Sequence, residues 1–251
     1  WTRRRLDTRQ DRFGGHKGPW WLPTGRDPHE VTATPDGRLA FVASPSDGIS
    51  VIDLQTQEEI DRVDPGPGSR THDVLFAKGK VYFTIEGYKS IGRYDPSTKQ
   101  IDWTLGIGQD GTHLLVLDEE TNTLFMPNIG SNTVTMVENF MAGPAQASLT
   151  VIPVPGERPE GIDLSPDGRE VWTATRNDGD VSIIDVASRQ VVETLDLGMR
   201  DANRLKFMNL TFWFASLAIC RNAPLKGRIW KCLYSASSHF FLGSSASFSV
   251  L

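Results

Sequence analysis

The sequence predicts an all-β protein, an incomplete β-propeller with four full blades of four strands each and the start of a fifth. One observation is an internal repeat, in which five segments share a pattern at steps of 43, 41, 47 and 43 residues. Its equivalent positions are His29, His72, His113, Glu160 and Asn203. Another is that each complete unit has four short apolar runs separated by turn signals. Four strands in about 40–45 residues is typical of a propeller blade, whereas a β-sandwich does not repeat its turns at a near-constant step.

The first unit begins at Pro28 and shows each element in order. Its turn signals are Pro35-Asp36-Gly37 and Ser46-Asp47-Gly48, in which proline presets φ and glycine accepts positive φ. Apolar residues in Ala40-Phe41-Val42 suit a strand that is buried in a sheet. The four predicted strand segments of this unit are 28–37, 38–44, 48–53 and 57–63.

The later units follow the same plan with local departures. More divergent copies begin at Thr71 and Thr112, and the long third step contains an insertion at Asn139–Ala147 before the fourth strand of its unit. The fourth unit begins at Pro159, and a fifth copy begins within 202–207. The glycine-rich segment Gly106–Gly111 fits a phosphate-loop pattern, but a strand follows it, so we interpret it as a loop between blades.

Composition changes abruptly after Phe207. The first 207 residues carry 22 basic and 31 acidic groups, whereas 208–251 carry four basic groups and no acidic group. We therefore predict an N-terminal segment at 1–27, propeller blades at 28–207 and an off-pattern tail at 208–251. We interpret the tail as frameshifted, mis-spliced or read-through sequence and expect a late start of the chain as well. A naturally diverged C-terminal cap is the alternative.

The charge balance and the apolar runs exclude some classes of function. A formal net charge of -5 argues against a nucleic-acid-binding protein, which needs a basic face for phosphates. The longest apolar run, Leu210–Cys220, is about half of the roughly 20 residues that a membrane-spanning helix requires. No secretory signal is visible at the start of the chain, because no apolar segment follows its arginines.

Three motifs of the fourth unit resemble the YVTN-type β-propeller repeat of YncE-like and surface-layer-associated proteins. They are Ser165-Pro-Asp-Gly168, Val171-Trp-Thr-Ala-Thr175 and Val181-Ser-Ile-Ile-Asp185, and Met126–Val134 is similar to the second half of that repeat. The resemblance covers about residues 28–207. It implies a propeller of about seven blades and an extracytoplasmic setting, periplasmic or secreted. It does not imply one activity, because this superfamily includes binding proteins, lactonase-like enzymes and cofactor-bearing oxidoreductases.

The repeat column supplies the candidate site. It lies at the start of each first strand, which is the innermost strand of a propeller blade, so its side chains should meet at one mouth of the central channel. Imidazole and carboxylate groups are ligands of divalent metals, and His29, His72, His113 and Glu160 are therefore a candidate metal site. The alternative is that duplication copied these residues and that they are hydrated groups at a polar channel mouth.

Several arginines near the column could bind an anionic ligand, although solvated loop arginines are the simpler interpretation. They are Arg26, Arg70, Arg158 and Arg204. The predicted ligand-binding set is His29, His72, His113, Glu160, Asn203, Arg70, Arg158 and Arg204.

Three functions remain open from the sequence. The first is a non-enzymatic scaffold that binds a small molecule or a protein at the channel mouth and loops. The second is a lactonase-like or metal-dependent enzyme, hydrolytic or oxidoreductase, with a site lined by histidines. The third is a fragment with no activity of its own. Apolar blade faces left open by the incomplete ring could also mediate self-association.

Overall fold

Within the residues that a computed structural model describes, sixteen strands form four antiparallel four-stranded sheets, which confirms the all-β, incomplete propeller. The structure describes residues 22–199 and 201–207. Predictions for the off-pattern tail, and for most of the N-terminal segment, lie outside these residues. Among the described residues, no helix has the length and apolar character that crossing a bilayer requires.

Each sheet is one blade, and its strands pair in chain order. Blade 1 contains β1 (Val31–Ala33), β2 (Leu39–Ser44), β3 (Gly48–Asp53) and β4 (Glu58–Val63). Blade 2 contains β5 (Thr71–Ala77), β6 (Lys80–Ile85), β7 (Ser90–Asp95) and β8 (Gln100–Gly106). Blade 3 contains β9 (Val116–Asp118), β10 (Thr123–Asn128), β11 (Thr133–Glu138) and β12 (Ser148–Pro153). Blade 4 contains β13 (Pro159–Leu164), β14 (Glu170–Thr175), β15 (Asp180–Asp185) and β16 (Gln190–Asp196).

The alternation of side chains along each second strand builds the cores between blades. Phe41 of β2 and Phe83 of β6 are buried in the core between blades 1 and 2. The next residue back, Tyr82, points the other way and packs with Leu124 between blades 2 and 3. Phe125 then belongs to the core between blades 3 and 4. A second strand with apolar residues at successive positions therefore contributes side chains to two cores, one on each side of its blade.

The first strands approach one another across the blades. β5 packs against β1 and β2 of the preceding blade, and β13 packs against β9 and β10. The fourth strands show the opposite environment, with side chains in β4 that are mostly exposed or half-buried. The first strands therefore lie on the inner side of the arc, where the repeat column places its polar side chains.

The same type of hydrogen bond joins consecutive first segments at two equivalent places, between blades 1 and 2 and between blade 4 and the segment that follows it. The backbone N–H of Phe76 donates to Thr32 Oγ1 at 3.2 Å, and the N–H of Phe207 donates to Asp163 Oδ2 at 2.6 Å. Thr32 and Asp163 occupy equivalent positions of the repeat, and so do Phe76 and Phe207. The segment before Phe207 therefore sits where the first strand of a fifth blade belongs. It forms no strand within the described residues.

The predicted connection between blades 2 and 3 and the predicted insertion are both loops in the structure. The side chains of Asp53 and Asp185 stabilise turns elsewhere, because they accept backbone N–H groups two or three residues later. Gly106 ends β8, and the residues to Gly111 connect blades 2 and 3. The insertion Asn139–Ala147 joins β11 to β12 and contains a 3-10 turn at Phe140–Ala142.

The outer side chains of blade 1 are buried. Ala40, Val42 and Ile52 have exposed fractions of 4%, 8% and 0%, and they pack with Leu22 and Leu54. A second copy that binds this face of blade 1 would have to displace the contacts with Leu22 and Leu54. Self-association stays a prediction.

Candidate functional site

Three histidines from three blades meet at the inner edge of the arc. His29 lies two residues before β1, His72 is the second residue of β5, and His113 lies three residues before β9. The ring of His72 lies between the other two, with centroid distances of 3.5 Å to His29 and 3.6 Å to His113. One nitrogen of each ring lies within 4.8 Å of the others. The structure thus brings together the three histidines that the repeat column predicted to be neighbours.

Each ring of this three-histidine cluster has one buried nitrogen that makes no hydrogen bond in the described part of the chain: His29 Nδ1, His72 Nδ1 and His113 Nε2. Two of them lie near carboxylates, since Glu30 Oε1 is 3.5 Å from His29 Nδ1 and Glu160 Oε1 is 3.7 Å from His113 Nε2. His72 and His113 are 7% and 5% exposed, whereas the His29 side chain is 34% exposed. Buried nitrogens normally have partners, so the cluster is a candidate site for a ligand.

Glu86 orients His113. It begins a 3-10 turn, Glu86–Tyr88, that follows β6, and its Oε1 lies 2.7 Å from His113 Nδ1. The turn is held against the preceding interblade loop, where the N–H of Gly87 donates to the Ser69 carbonyl. A carboxylate at Nδ1 favours a proton on that nitrogen, and the other ring nitrogen, Nε2, lies 3.7 Å from Glu160 Oε1.

Glu160 stands beside the cluster rather than within it. Its Oε1 is 3.7 Å from His113 Nε2, and its Oε2 is 3.2 Å from Arg176 Nη1. The described histidines, cysteines, aspartates and glutamates contain one group with converging ligand atoms, and it comprises the three histidines alone. The predicted role of Glu160 as a direct metal ligand therefore lacks the convergence that the histidines have.

Three carboxylates around the cluster each have an arginine partner. Glu86 Oε2 lies 3.4 Å from Arg70 Nη2, and Glu160 pairs with Arg176. Glu30, next to His29, forms an ion pair with Arg204 from the start of the fifth unit. Three glutamates and three arginines thus surround the three imidazoles, and the opposite charges cancel within each pair.

The surroundings move the pKa values of the cluster in different directions. Burial, and then the neighbouring His113 and His29, lower the pKa of His72 well below its usual range, so this ring is neutral. Burial opposes protonation of His113 too, but the carboxylates of Glu160 and Glu86 outweigh it and raise its pKa. Burial acts to raise the pKa of Glu160, but His113 and then Arg176 lower it.

Asp73 is a buried carboxyl directly after His72. Burial, and then the negative charge of Glu30, raise its pKa to about 7. Its Oδ1 accepts the N–H of Val74 at 2.7 Å, and its Oδ2 accepts the N–H of Leu115 from the next blade at 2.6 Å. Both oxygens are thus used by the backbone, and the side chain links blades 2 and 3.

The raised pKa of Asp73 predicts how the free energy of unfolding depends on pH. Because its folded-state pKa is raised, the folded protein holds a proton between about pH 4 and 7 that the unfolded chain releases. Its contribution to stability is therefore present at low pH and is lost as the pH rises towards 7. We expect Asp73→Asn to gain stability relative to wild type as the pH rises from 5 to 7, by at most about 1.4 kcal/mol per pH unit. Urea unfolding of both proteins at several pH values measures this difference, and a constant difference would contradict the assignment.

The other residues that the sequence singled out make contacts outside the three-histidine cluster. Asn203 is half-buried, and its carbonyl accepts a hydrogen bond from Arg204 Nη1. Arg158 is exposed, and its backbone N–H donates to Asn132 Oδ1. Arg26 pairs with Asp47 on the hairpin between β2 and β3. Neither Arg158 nor Arg26 has a described side-chain contact with the three histidines.

Sequence reasoning missed Glu86 and Arg176. Each directly follows the second strand of its blade, since β6 ends at Ile85 and β14 ends at Thr175. The corresponding residues of blades 1 and 3 are Pro45 and Ile129, so a comparison of the units shows no shared residue type at this position and gives no signal.

Comparisons with known proteins identify the fold. No family model and no curated protein matches the chain, so the YVTN resemblance stays a prediction. Among solved structures, Kuenenia stuttgartiensis hydrazine synthase superposes with a TM-score of 0.61 at 19% identity, covering 76% of this chain and 54% of that chain. A functionally unknown protein from Desulfotomaculum acetoxidans DSM 771 gives 0.56 at 16% identity, covering 70% of this chain and 58% of that one.

A third structure is the Cps50 (Swd1) β-propeller domain of Myceliophteria thermophila, with a TM-score of 0.59 at 13% identity, covering 73% of this chain and 60% of that one. The chain thus spans between half and two thirds of the length of these structures. At such identities the likeness concerns architecture alone, and it agrees with the four sheets described above. The chain is a β-propeller, represented in the described residues by four blades.

Proposed function

We propose that this chain is a propeller scaffold that binds a small ligand at its inner mouth through a divalent transition metal. The observation that carries the proposal is that three imidazoles from three blades each place one nitrogen within 4.8 Å of the others. His29, His72 and His113 would be the ligands of the metal. Imidazole suits zinc, copper, nickel and iron better than magnesium or calcium, so the metal belongs to the first transition series.

The electrostatics of the cluster support a metal over a hydrated group of histidines. His72 is neutral, as a metal ligand must be, whereas a metal would have to displace the proton that the raised pKa of His113 favours on that ring. Zinc–nitrogen bonds of about 2.0–2.1 Å place ligand nitrogens roughly 3.4 Å apart, and the present upper limit is 4.8 Å. Because the ring centroids now lie 3.5 and 3.6 Å apart, metal binding requires the rings to reorient. Glu86 supplies the carboxylate–histidine contact that commonly orients a metal ligand.

Three protein ligands leave room for a further one. His29 is the most exposed of the three rings, so the accessible side of the cluster is the side next to His29. The ligands come from three different blades, and the packed cores between blades hold those blades in place. A small molecule could therefore complete the coordination of the metal without a rearrangement of the scaffold.

An enzymatic role is less well supported. A metal-activated water needs a nearby base, and Glu160 is the closest candidate. Its pKa is lowered by His113 and Arg176, and Arg176 holds one of its oxygens. A carboxylate in this state is a weak base, which favours binding over catalysis.

Metal binding can be measured directly. The protein is stripped with a chelator, dialysed and titrated with zinc or nickel by calorimetry. We expect one metal per chain in wild type and at least a hundredfold weaker binding in His72→Ala, because a ligand is lost. His29→Ala, which changes a more exposed residue, should give a similar loss with less effect on folding. Far-UV circular dichroism monitors the fold of each variant.

The chain provides its own control for unspecific histidine binding. A variant with both His16 and His239 replaced by alanine retains the three-histidine cluster and should bind metal like wild type. Absence of a bound metal in folded wild-type protein would refute the proposal. Equal affinities of wild type, His72→Ala and His29→Ala would do the same.

A further inference from the structure

The charges around the three-histidine cluster specify which ligand would suit the bound metal. Glu30, Glu86 and Glu160 are each paired with an arginine, so these three pairs carry no net charge. Arg176 also lies 3.6 Å from Oδ1 of the exposed Asp201. The histidines would bind the metal as neutral imidazoles. A divalent cation therefore adds two positive charges that the three pairs do not offset.

The arginines at the mouth also retain hydrogen-bond donors. A guanidinium has five N–H groups. Arg204 uses Nη1 for the Asn203 carbonyl and Nη2 for Glu30, and Arg70 contacts Glu86 through Nη2. The side chain of Arg204 is 32% exposed and that of Arg70 is 67% exposed. Both arginines are therefore accessible to solvent and have donors that remain available to a ligand.

We propose that the ligand of this site is a small carboxylate-type anion, which binds the metal through one oxygen and accepts a hydrogen bond from Arg204. This inference rests on the proposed function, because the metal supplies the uncompensated charge. Arg204 is the arginine whose position best supports this role, because it pairs with Glu30, the residue next to His29, on the exposed side of the cluster.

A spectroscopic titration tests the choice of anion. Cobalt-loaded protein is titrated with acetate, and its visible absorption bands report changes at the metal. Acetamide has nearly the same shape without the charge, so it serves as the matched probe. We expect acetate to shift the bands in a saturable way and acetamide to bind at least tenfold more weakly. Equal effects of the two probes would overturn the inference.

A charge-balanced variant tests the role of the arginine. Replacing Arg204 alone would leave Glu30 unpaired and could change the affinity for the metal. In the double variant Glu30→Gln with Arg204→Gln, the net charge of the mouth is unchanged. We expect it to bind cobalt within about twofold of wild type and acetate about tenfold more weakly. Arg158→Gln, an exposed arginine without a described contact to the cluster, should leave both affinities unchanged.

The possible failures can be told apart. If cobalt does not bind at the cluster, the proposed function fails and the inference fails with it. If cobalt binds and acetate binds equally well to wild type and the double variant, the metal site stands and the role of Arg204 is wrong. If cobalt binds and acetate has no effect on the bands, the site takes a ligand of another class.

Discussion

Phe83→Ala should lower the free energy of unfolding by about 3–5 kcal/mol, the usual loss for a buried phenylalanine. The ring of Phe83 is completely buried in the core between blades 1 and 2. It lies over Gly92 of the neighbouring strand, where a side chain would overlap the ring. Removal of the ring therefore leaves a cavity that Gly92 cannot fill. Urea unfolding followed by circular dichroism measures the loss.

An exposed apolar residue provides the comparison. Ile60 of β4 is 48% exposed, so Ile60→Ala should change the free energy of unfolding by no more than about 0.5 kcal/mol. Phe83→Ala should also weaken metal binding, because the same core holds blade 1, with His29, against blade 2, with His72. Similar stabilities of the two variants would contradict the assignment of Phe83 to the core between blades.

Gly87→Ala should destabilise the protein by about 1–3 kcal/mol and weaken metal binding about tenfold. A methyl group at Gly87 would overlap the carbonyl oxygen of Gly68, which belongs to the backbone and has little freedom to move. The 3-10 turn would have to shift, and Glu86, its first residue, would leave His113 Nδ1. Urea unfolding and metal titration together measure both effects.

Gly106→Ala is the matched control. Gly106 ends β8 in the same blade, and no atom lies within 4 Å of the position that its methyl group would take. We expect stability and metal affinity near those of wild type. If Gly87→Ala and Gly106→Ala behave alike, the tight packing of the turn does not position Glu86.

Local patterns explain why so much of the architecture was predictable. Turn signals such as Pro35-Asp36-Gly37 act within a few residues, and the burial of alternate strand residues is visible without knowledge of the partner. The repeat step then implies equivalent strands in each blade. Even the meeting of His29, His72 and His113 follows from this step, because equal positions in a repeat occupy equal places around an axis.

The chemistry of the site depends on contacts that no local pattern encodes. Glu86 contacts His113, which is 27 residues away, and Arg204 contacts Glu30, which is 174 residues away. Glu160 was expected to be a metal ligand because it shares the histidine column. Its neighbour Arg176 arrives from a different strand and engages one of its oxygens.

The sequence by itself determined the all-β class, the four-stranded units and the convergence of three histidines, since these follow from short-range turn chemistry and from repetition. Only the tertiary structure decided which imidazole nitrogens are buried without partners and which arginine neutralises each carboxylate. The physical reason is that burial and ion pairing depend on distances between side chains from different blades. Those distances are set when the blades pack against one another.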